Sequence, residues 1–528
     1  MKLDLKDDPN LQKRYDQARV LFAARTFTAF NALQHDYLYL EALLPKTHKK
    51  VKIKSVQTIS RHTDIMADDV RRDLMSIIQS MLEEKTHHTF GFSTDMYSSS
   101  NQYSIISLTL HFTDKELNPW KFVLYAEYFG YGRRHTGNNI QFALETMFKE
   151  AGLDSDNISR FLLMDNASNN KRCVTLFEGE HTVIWCVIHT LQLSIKDAFK
   201  IKVGQIRVSK VLKKCKETSN LVRRAEARRD ELKEACKSTD TNFIMPVKPG
   251  KTRWNSIEGN VNSCIILQRA LTHLSAYDRN NTWSETVPTV REFDICRAVQ
   301  KCLKPLKVAT KLLESDRKAS LHQVVKQLYN IKSELEDLGS SSAHVKTFAK
   351  NLGKQVEKRY PRFGTSNPLF AVAHFVDPAE KGCVLHEFNG VYQRTINAIK
   401  EMAKKYDQTP VRAQGEDRTD LGNSEIENIE TLTGTERLKK RRRLSGDVPE
   451  PLPVSSRVEI EIERYEKLPL EEIDDPLEYW RENKGSFDIL RKVAADVLSI
   501  PASSSSSERA FSAATRVSFF SFINSIVE

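Results

Sequence analysis

Apolar residues recur three and four positions apart between Asp64 and Leu82, with Leu74, Ile77, Ile78 and Met81 on one stripe, and this spacing predicts a helix. From Thr89 the period shortens. Phe90 to Asp95, Ser104 to Phe112 and Lys121 to Phe129 alternate or run apolar between polar turns, which predicts three consecutive strands in a meander. Helical spacing returns over Asn138 to Glu150. Phe161 to Met164 and Thr182 to Cys186 then read as short strands, and Leu191 to Phe199 as a helix.

Three strands, helix, strand, helix, strand, helix is the order of an RNase H-like sheet. Beyond Phe199 strand signals nearly vanish, and Ser209 to Lys237, Val261 to Ala276, Phe293 to Leu313 and Leu321 to Leu338 show helical spacing with polar outer faces. Residues 409–456 are rich in Glu, Thr, Gly, Pro and charge, with too few large apolar residues to offset the entropy of ordering, and read as a linker. Helical signals resume from Val458, through Asp475 to Trp480, Phe487 to Leu498 and Ser503 to Phe511. The expected class is α/β: an RNase H-like sheet with helices before it and a mostly α-helical region after it. The expected divisions are an N-terminal helical region (1–86), the first part of the RNase H-like core (87–200), an α-helical insertion (201–408) and the linker (409–456). A C-terminal region (457–514) and an atypical apolar tail (515–528) follow.

Composition narrows the partners. With 80 Lys plus Arg against 69 Asp plus Glu, the net charge is +11, an excess that favours a polyanion such as nucleic acid and equally describes a solvated surface. The charged opening residues lack the apolar core of a signal peptide and no apolar run spans a bilayer, so a membrane partner is not expected. The 8 cysteines are scattered without a CxxC pair, as reduced thiols are. Cys186 and His189 have half of a zinc spacing, but no matching second pair is found, and no zinc site is identified. Lys439, Lys440, Arg441, Arg442 and Arg443 form a basic run suited to nuclear import or phosphate, or simply to a solvated linker.

Cleavage of a phosphodiester with divalent cations needs carboxylates converging from separate elements. Asp95 ends the first expected strand and Asp165 ends the strand that would lie beside it. A strand-end aspartate also serves an Asx turn or a helix cap. Ser505 and Glu508 have capping-box spacing. Arg253 and Trp254, in a Pro-Gly-containing stretch, suit either phosphate and base stacking or an aromatic core anchor. His189 suits phosphate contact or a structural role.

The order of these pieces carries a resemblance. Thr94-Asp95-Met96-Tyr97, Asp165-Asn166-Ala167-Ser168-Asn169, Cys186 with His189 to Leu193, Thr252 to Ser256, Asp475 to Trp480, and Pro501 through Ser507-Glu508-Arg509 to Ser512 resemble the successive signatures of hAT (hobo-Activator) transposases. The resemblance implies an RNase H-like catalytic fold interrupted by a large all-α insertion, with an Asp-Asp-Glu triad, here Asp95, Asp165 and Glu508, that binds Mg2+ or Mn2+ for DNA cleavage and strand transfer. It implies DNA contacts at His189, Arg253 and Trp254, and a C-terminal dimerisation region in which Leu477, Trp480, Leu490, Val493 and Leu498 pack partly on a second copy, or else form intramolecular core. The expected protein is nuclear, binds DNA and forms a homodimer or larger homo-oligomer. The alternative is a catalytically silent, domesticated transposase acting as a dimeric transcriptional or chromatin regulator. Two departures from the resemblance stand out: no BED-type zinc finger precedes the core, and an apolar stretch from Thr515 replaces the usual basic continuation.

Overall fold

A computed structural model describes residues 55–83, 89–98, 104–130, 134–153, 159–177, 182–201, 206–250, 255–279, 281–315, 318–341, 346–406, 454–505 and 507–509. The helix expected from Asp64 extends over Val56–Glu83 (α1). The meander follows as β1 (Thr89–Ser98), β2 (Ser104–Thr113) and β3 (Pro119–Tyr128). Next come α2 (Gly137–Glu150), β4 (Ser159–Met164), α3 (Ser168–Leu176), β5 (Thr182–Trp185) and α4 (Val187–Lys200). They build a five-stranded sheet in the order β3-β2-β1-β4-β5. The β1–β2 and β2–β3 pairs are antiparallel, and β1–β4 and β4–β5 are parallel.

The sheet is covered on both faces, and β4 shows why its stretch Phe161 to Met164 is apolar. Its side chains alternate between two cores. Leu162 and Met164 join Phe92, Leu108, Leu144 of α2 and Ile78 of α1, whereas Phe161 and Leu163 join Ile184, Leu191 of α4 and the helical remainder of the chain. Each side chain fully removed from water contributes about 1.5–3 kcal/mol. Gly137 opens α2 where a Cβ would stand 2.7 Å from the Cβ of Arg172 and the backbone nitrogen of Cys173 in α3, so only a hydrogen permits this approach.

The helical remainder departs in detail from the periodicity. The stretch expected as one helix over Ser209 to Lys237 is two, α5 (Ile206–Arg224) and α6 (Glu226–Ser238), broken at Ala225. Val261 to Ala276 likewise divides into α7 (Asn255–Ile266) and α8 (Gln268–Ala276). After the short α9 (Thr282–Thr286), α10 (Val290–Leu313) starts on a capping box between Thr289 and Glu292 and carries Pro305 within it. Then come α11 (Gln323–Ser341), α12 (Lys346–Arg359), α13 (Pro368–Phe375) and α14 (Val391–Ala403), the last three not anticipated. The expected linker lies almost entirely outside the described residues. The chain is described again in α15 (Val454–Lys467), α16 (Pro476–Glu482) and α17 (Ile489–Leu498).

This last segment returns to the sheet. Arg491 is buried and donates to the carbonyl of Lys115, Arg481 donates to that of Glu116, and the Val187 amide donates to the Ala502 carbonyl over 3.0 Å. Among the described residues no helix is long and apolar enough to cross a membrane.

Candidate functional site: three acids at the sheet end

Parallel pairing places Ser93 of β1 opposite Leu163 of β4. Asp95 lies two residues further along β1, on the face that bears Ser93, and Asp165 immediately follows the end of β4. The C-terminal segment crosses that face. Ser507 Oγ lies 3.1 Å from Ser93 Oγ and 3.5 Å from Thr109 Oγ1, and Ser93 Oγ in turn lies 2.9 Å from His111 Nε2. Glu508 therefore arrives beside the two aspartates across more than four hundred residues of sequence.

Asp95 feels the other two acids. The Asp95 carboxyl is pushed up to about 7, first by burial and further by the negative charges of Asp165 and Glu508, against the opposing pull of its bond from the Met96 amide (2.8 Å to Oδ1). Asp165 Oδ1 is held by the Ala167 amide at 3.0 Å and by Asn170 Nδ2 at 2.5 Å, while Oδ2 is the oxygen turned to His189 Nδ1, 3.8 Å away. The oxygens of the three acids are not all within 4.8 Å of one another.

Glu508 is also tied locally. Its amide donates to the Ser504 carbonyl at 3.2 Å, and Ser505 Oγ pairs with Ser503 Oγ at 2.9 Å. Cys186 and His189 also separate in role. The buried Cys186 thiol, raised by desolvation, bonds to Ser504 and anchors the C-terminal segment, while His189 faces the acids.

Beside Asp165 opens a cavity of about 450 Å3 lined by Asn166, Lys171, Trp185, Thr190, Lys358 and Asn367. Asn166 Nδ2 hydrogen-bonds to Thr190 across its floor. Leading toward it on α12 are Lys346, Lys350, Lys354 and Lys358, all exposed and four residues apart, hence on one helical face. Sequence reasoning missed this stripe, although the spacing is legible. It also passed over Asn170, the residue just after the motif that Asp165 opens.

Arg253 and Trp254, and the basic run from Lys439 to Arg443, lie outside the described residues. Leu477, Trp480, Leu490, Val493 and Leu498 are at most 2% exposed and sit in the chain's own core. Trp480 Nε1 bonds to the Val376 carbonyl at 2.8 Å, and its ring packs on Tyr465, Tyr479 and Phe487. Their burial is intramolecular, so a contact with a second copy would use other residues of this region.

The described chain thus carries a mixed sheet with acids at its end and a C-terminal segment packed across it. The chain carries a hAT family C-terminal dimerisation region, matched over residues 461–521, and resembles transposases of that superfamily at low identity over most of its length. It is 22% identical over 522 residues to a Zea mays protein named as an AC transposase, covering 92% of this chain and 60% of that one. It is 22% identical over 545 residues to a Zea mays AC9 transposase, covering 92% and 61%. It is 23% identical over 466 residues to the Homo sapiens zinc finger BED domain-containing protein 4, covering 85% of this chain and 37% of that one. The chain thus spans less than two thirds of each relative's length.

Proposed function

We propose that this chain is a DNA-cutting transposase with an RNase H-like sheet, in which Asp95, Asp165 and Glu508 form one carboxylate site for Mg2+ or Mn2+. The observation that carries the reading is the convergence of the three acids, felt electrostatically at Asp95. Clustered carboxylates raise each other's cost of ionising, and a hard divalent cation with oxygen preference relieves it. The donor set therefore fits such ions. Bound there, they supply activation of water and charge stabilisation at the departing oxygen of a phosphodiester.

The protein's own part is positioning. The Met96 amide occupies one Asp95 oxygen, and Ala167 and Asn170 occupy one of Asp165, so each carboxylate has a fixed orientation. The lysine stripe of α12 covers about 18 Å at roughly 1.5 Å per residue, enough to follow several phosphates toward the cavity, where the partly exposed Trp185 offers a stacking face. Self-association is assigned to the C-terminal region, where Ile460, Leu468 and Leu470 are 48%, 37% and 62% exposed and suit contact with a second copy. A nuclear location accords with a DNA substrate.

The test is Mn2+-dependent nicking of plasmid or transposon-end DNA. Cleavage lost in both Asp95→Asn and Glu508→Gln supports the reading. Absence of nicking by the unaltered protein, with DNA binding and self-association intact, would replace it with a silent, regulatory derivative.

A further inference from the structure

His374 lies at the end of α13 with its ring fully buried, and neither ring nitrogen has a hydrogen-bond partner. A buried polar group left unpaired opposes folding unless something outside the polypeptide satisfies it. Two further donors stand beside it. One ligand atom each from His374, Glu380 and Cys383 lie within 4.8 Å of one another. Cys383 Sγ bonds to Glu380 Oε2 at 3.1 Å, while Lys326 pairs with Oε1.

The intervening turn is built to bring them together. Asp377 Oδ1 accepts from the Ala379 amide at 3.1 Å, and Gly382 takes a φ of 72°, where a Cβ would meet Leu385 Cδ1 at 2.9 Å. Lys381 Nζ donates to the carbonyls of Tyr465 and Leu468, each at 2.7 Å, which ties the turn to α15 and the loop after it.

We propose that His374, Glu380 and Cys383 bind one divalent cation of the zinc class, at a site sharing no residue with Asp95, Asp165 and Glu508. Imidazole nitrogen, thiolate sulfur and carboxylate oxygen are the donors of a tetrahedral Zn2+ with a fourth position left open, and the sulfur disfavours Mg2+ or Mn2+. Ligand atoms around tetrahedral zinc stand roughly 3.5 Å apart; the Cys383 and Glu380 atoms are already that close at 3.1 Å, and the His374 nitrogen has at most about 1 Å to close.

Burial keeps His374 neutral, the form that ligates. On binding, the Cys383 proton leaves to solvent and the sulfur bonds the cation as thiolate. Cation, thiolate and carboxylate then sum to zero charge, and Lys326 retains its contact with Glu380 Oε1. Cys383 is exposed, which provides the entry path.

The test strips the full chain with a chelator and titrates it with Co2+, whose ligation by thiolate gives a sulfur-to-metal charge-transfer absorption. One equivalent should produce the absorption and Zn2+ should displace it. Cys383→Ser should abolish it while leaving the circular dichroism of the chelated protein unchanged. Glu380→Gln should weaken Co2+ binding about tenfold or more. Asp95→Asn should leave the absorption intact. No absorption in the unaltered protein, or one that persists in Cys383→Ser or vanishes in Asp95→Asn, overturns the site.

Discussion

Asp95 links the stability of this protein to its chemistry. Its folded value of about 7 stands above the ordinary 3.8, so it favours the fold only in its protonated form, and that advantage is lost as pH rises through the folded value. In chelated protein at pH 8, Asp95→Asn should therefore raise stability by about 2 kcal/mol after allowance for partial exposure. The gain should vanish below pH 4, as denaturant titration at the two pH values would show. Divalent cations compete with the same proton, so Mn2+ affinity should climb with pH up to about 7 and then level off. A flat profile in calorimetric titration would place the cation elsewhere. Asp95 and Asp165 were recognisable in the sequence as strand-end acids. Their alliance with Glu508 was visible only through the order of motifs, because the spacing of Ser505 and Glu508 equally satisfied a helix cap.

The α12 stripe makes a separable claim about elements. Neutralising a phosphate contact lowers the slope of log affinity against log salt by about 0.9. Replacing Lys350 and Lys354 with Gln should weaken DNA binding uniformly across sequences and flatten that slope by up to about 2, measured by fluorescence anisotropy at several salt concentrations. An unchanged slope would remove the stripe from the DNA path. Gly137 tests packing instead. Gly137→Ala forces α2 away from α3 and should cost about 1–3 kcal/mol, read from denaturant midpoints. Helical periodicity located most elements but ran α5 into α6 and α7 into α8, since the breaks lack Gly or Pro to announce them. It passed over α13, where Pro368 opens a helix buried on nearly every side and the apolar stripe disappears into a continuous apolar run.

Across the whole molecule, the C-terminal region serves two ends at once. Its aromatic cluster around Trp480 closes the chain's own core, so Trp480→Ala should destabilise the monomer by about 3–5 kcal/mol instead of merely dissociating a dimer. Self-association should respond to a different change, Leu470→Glu, with sedimentation showing a smaller species and the thermal midpoint little altered. Loss of association in Trp480→Ala at unchanged stability would reverse that assignment.

Periodicity and residue type settled which segments become strands or helices, because these are properties of neighbours along the chain. The three-strand meander, the two strand-end aspartates and the apolar run Phe161 to Met164 were readable on that basis. Tertiary structure alone decided what crosses the sheet face, since the contacts of Ser507 with Ser93 and of Arg491 with Lys115 join residues with no local signal of each other. It also decided that Leu477, Trp480, Leu490, Val493 and Leu498 turn inward. An apolar helical face only demands burial, and whether one's own core or a second copy supplies it depends on the space the rest of the fold leaves.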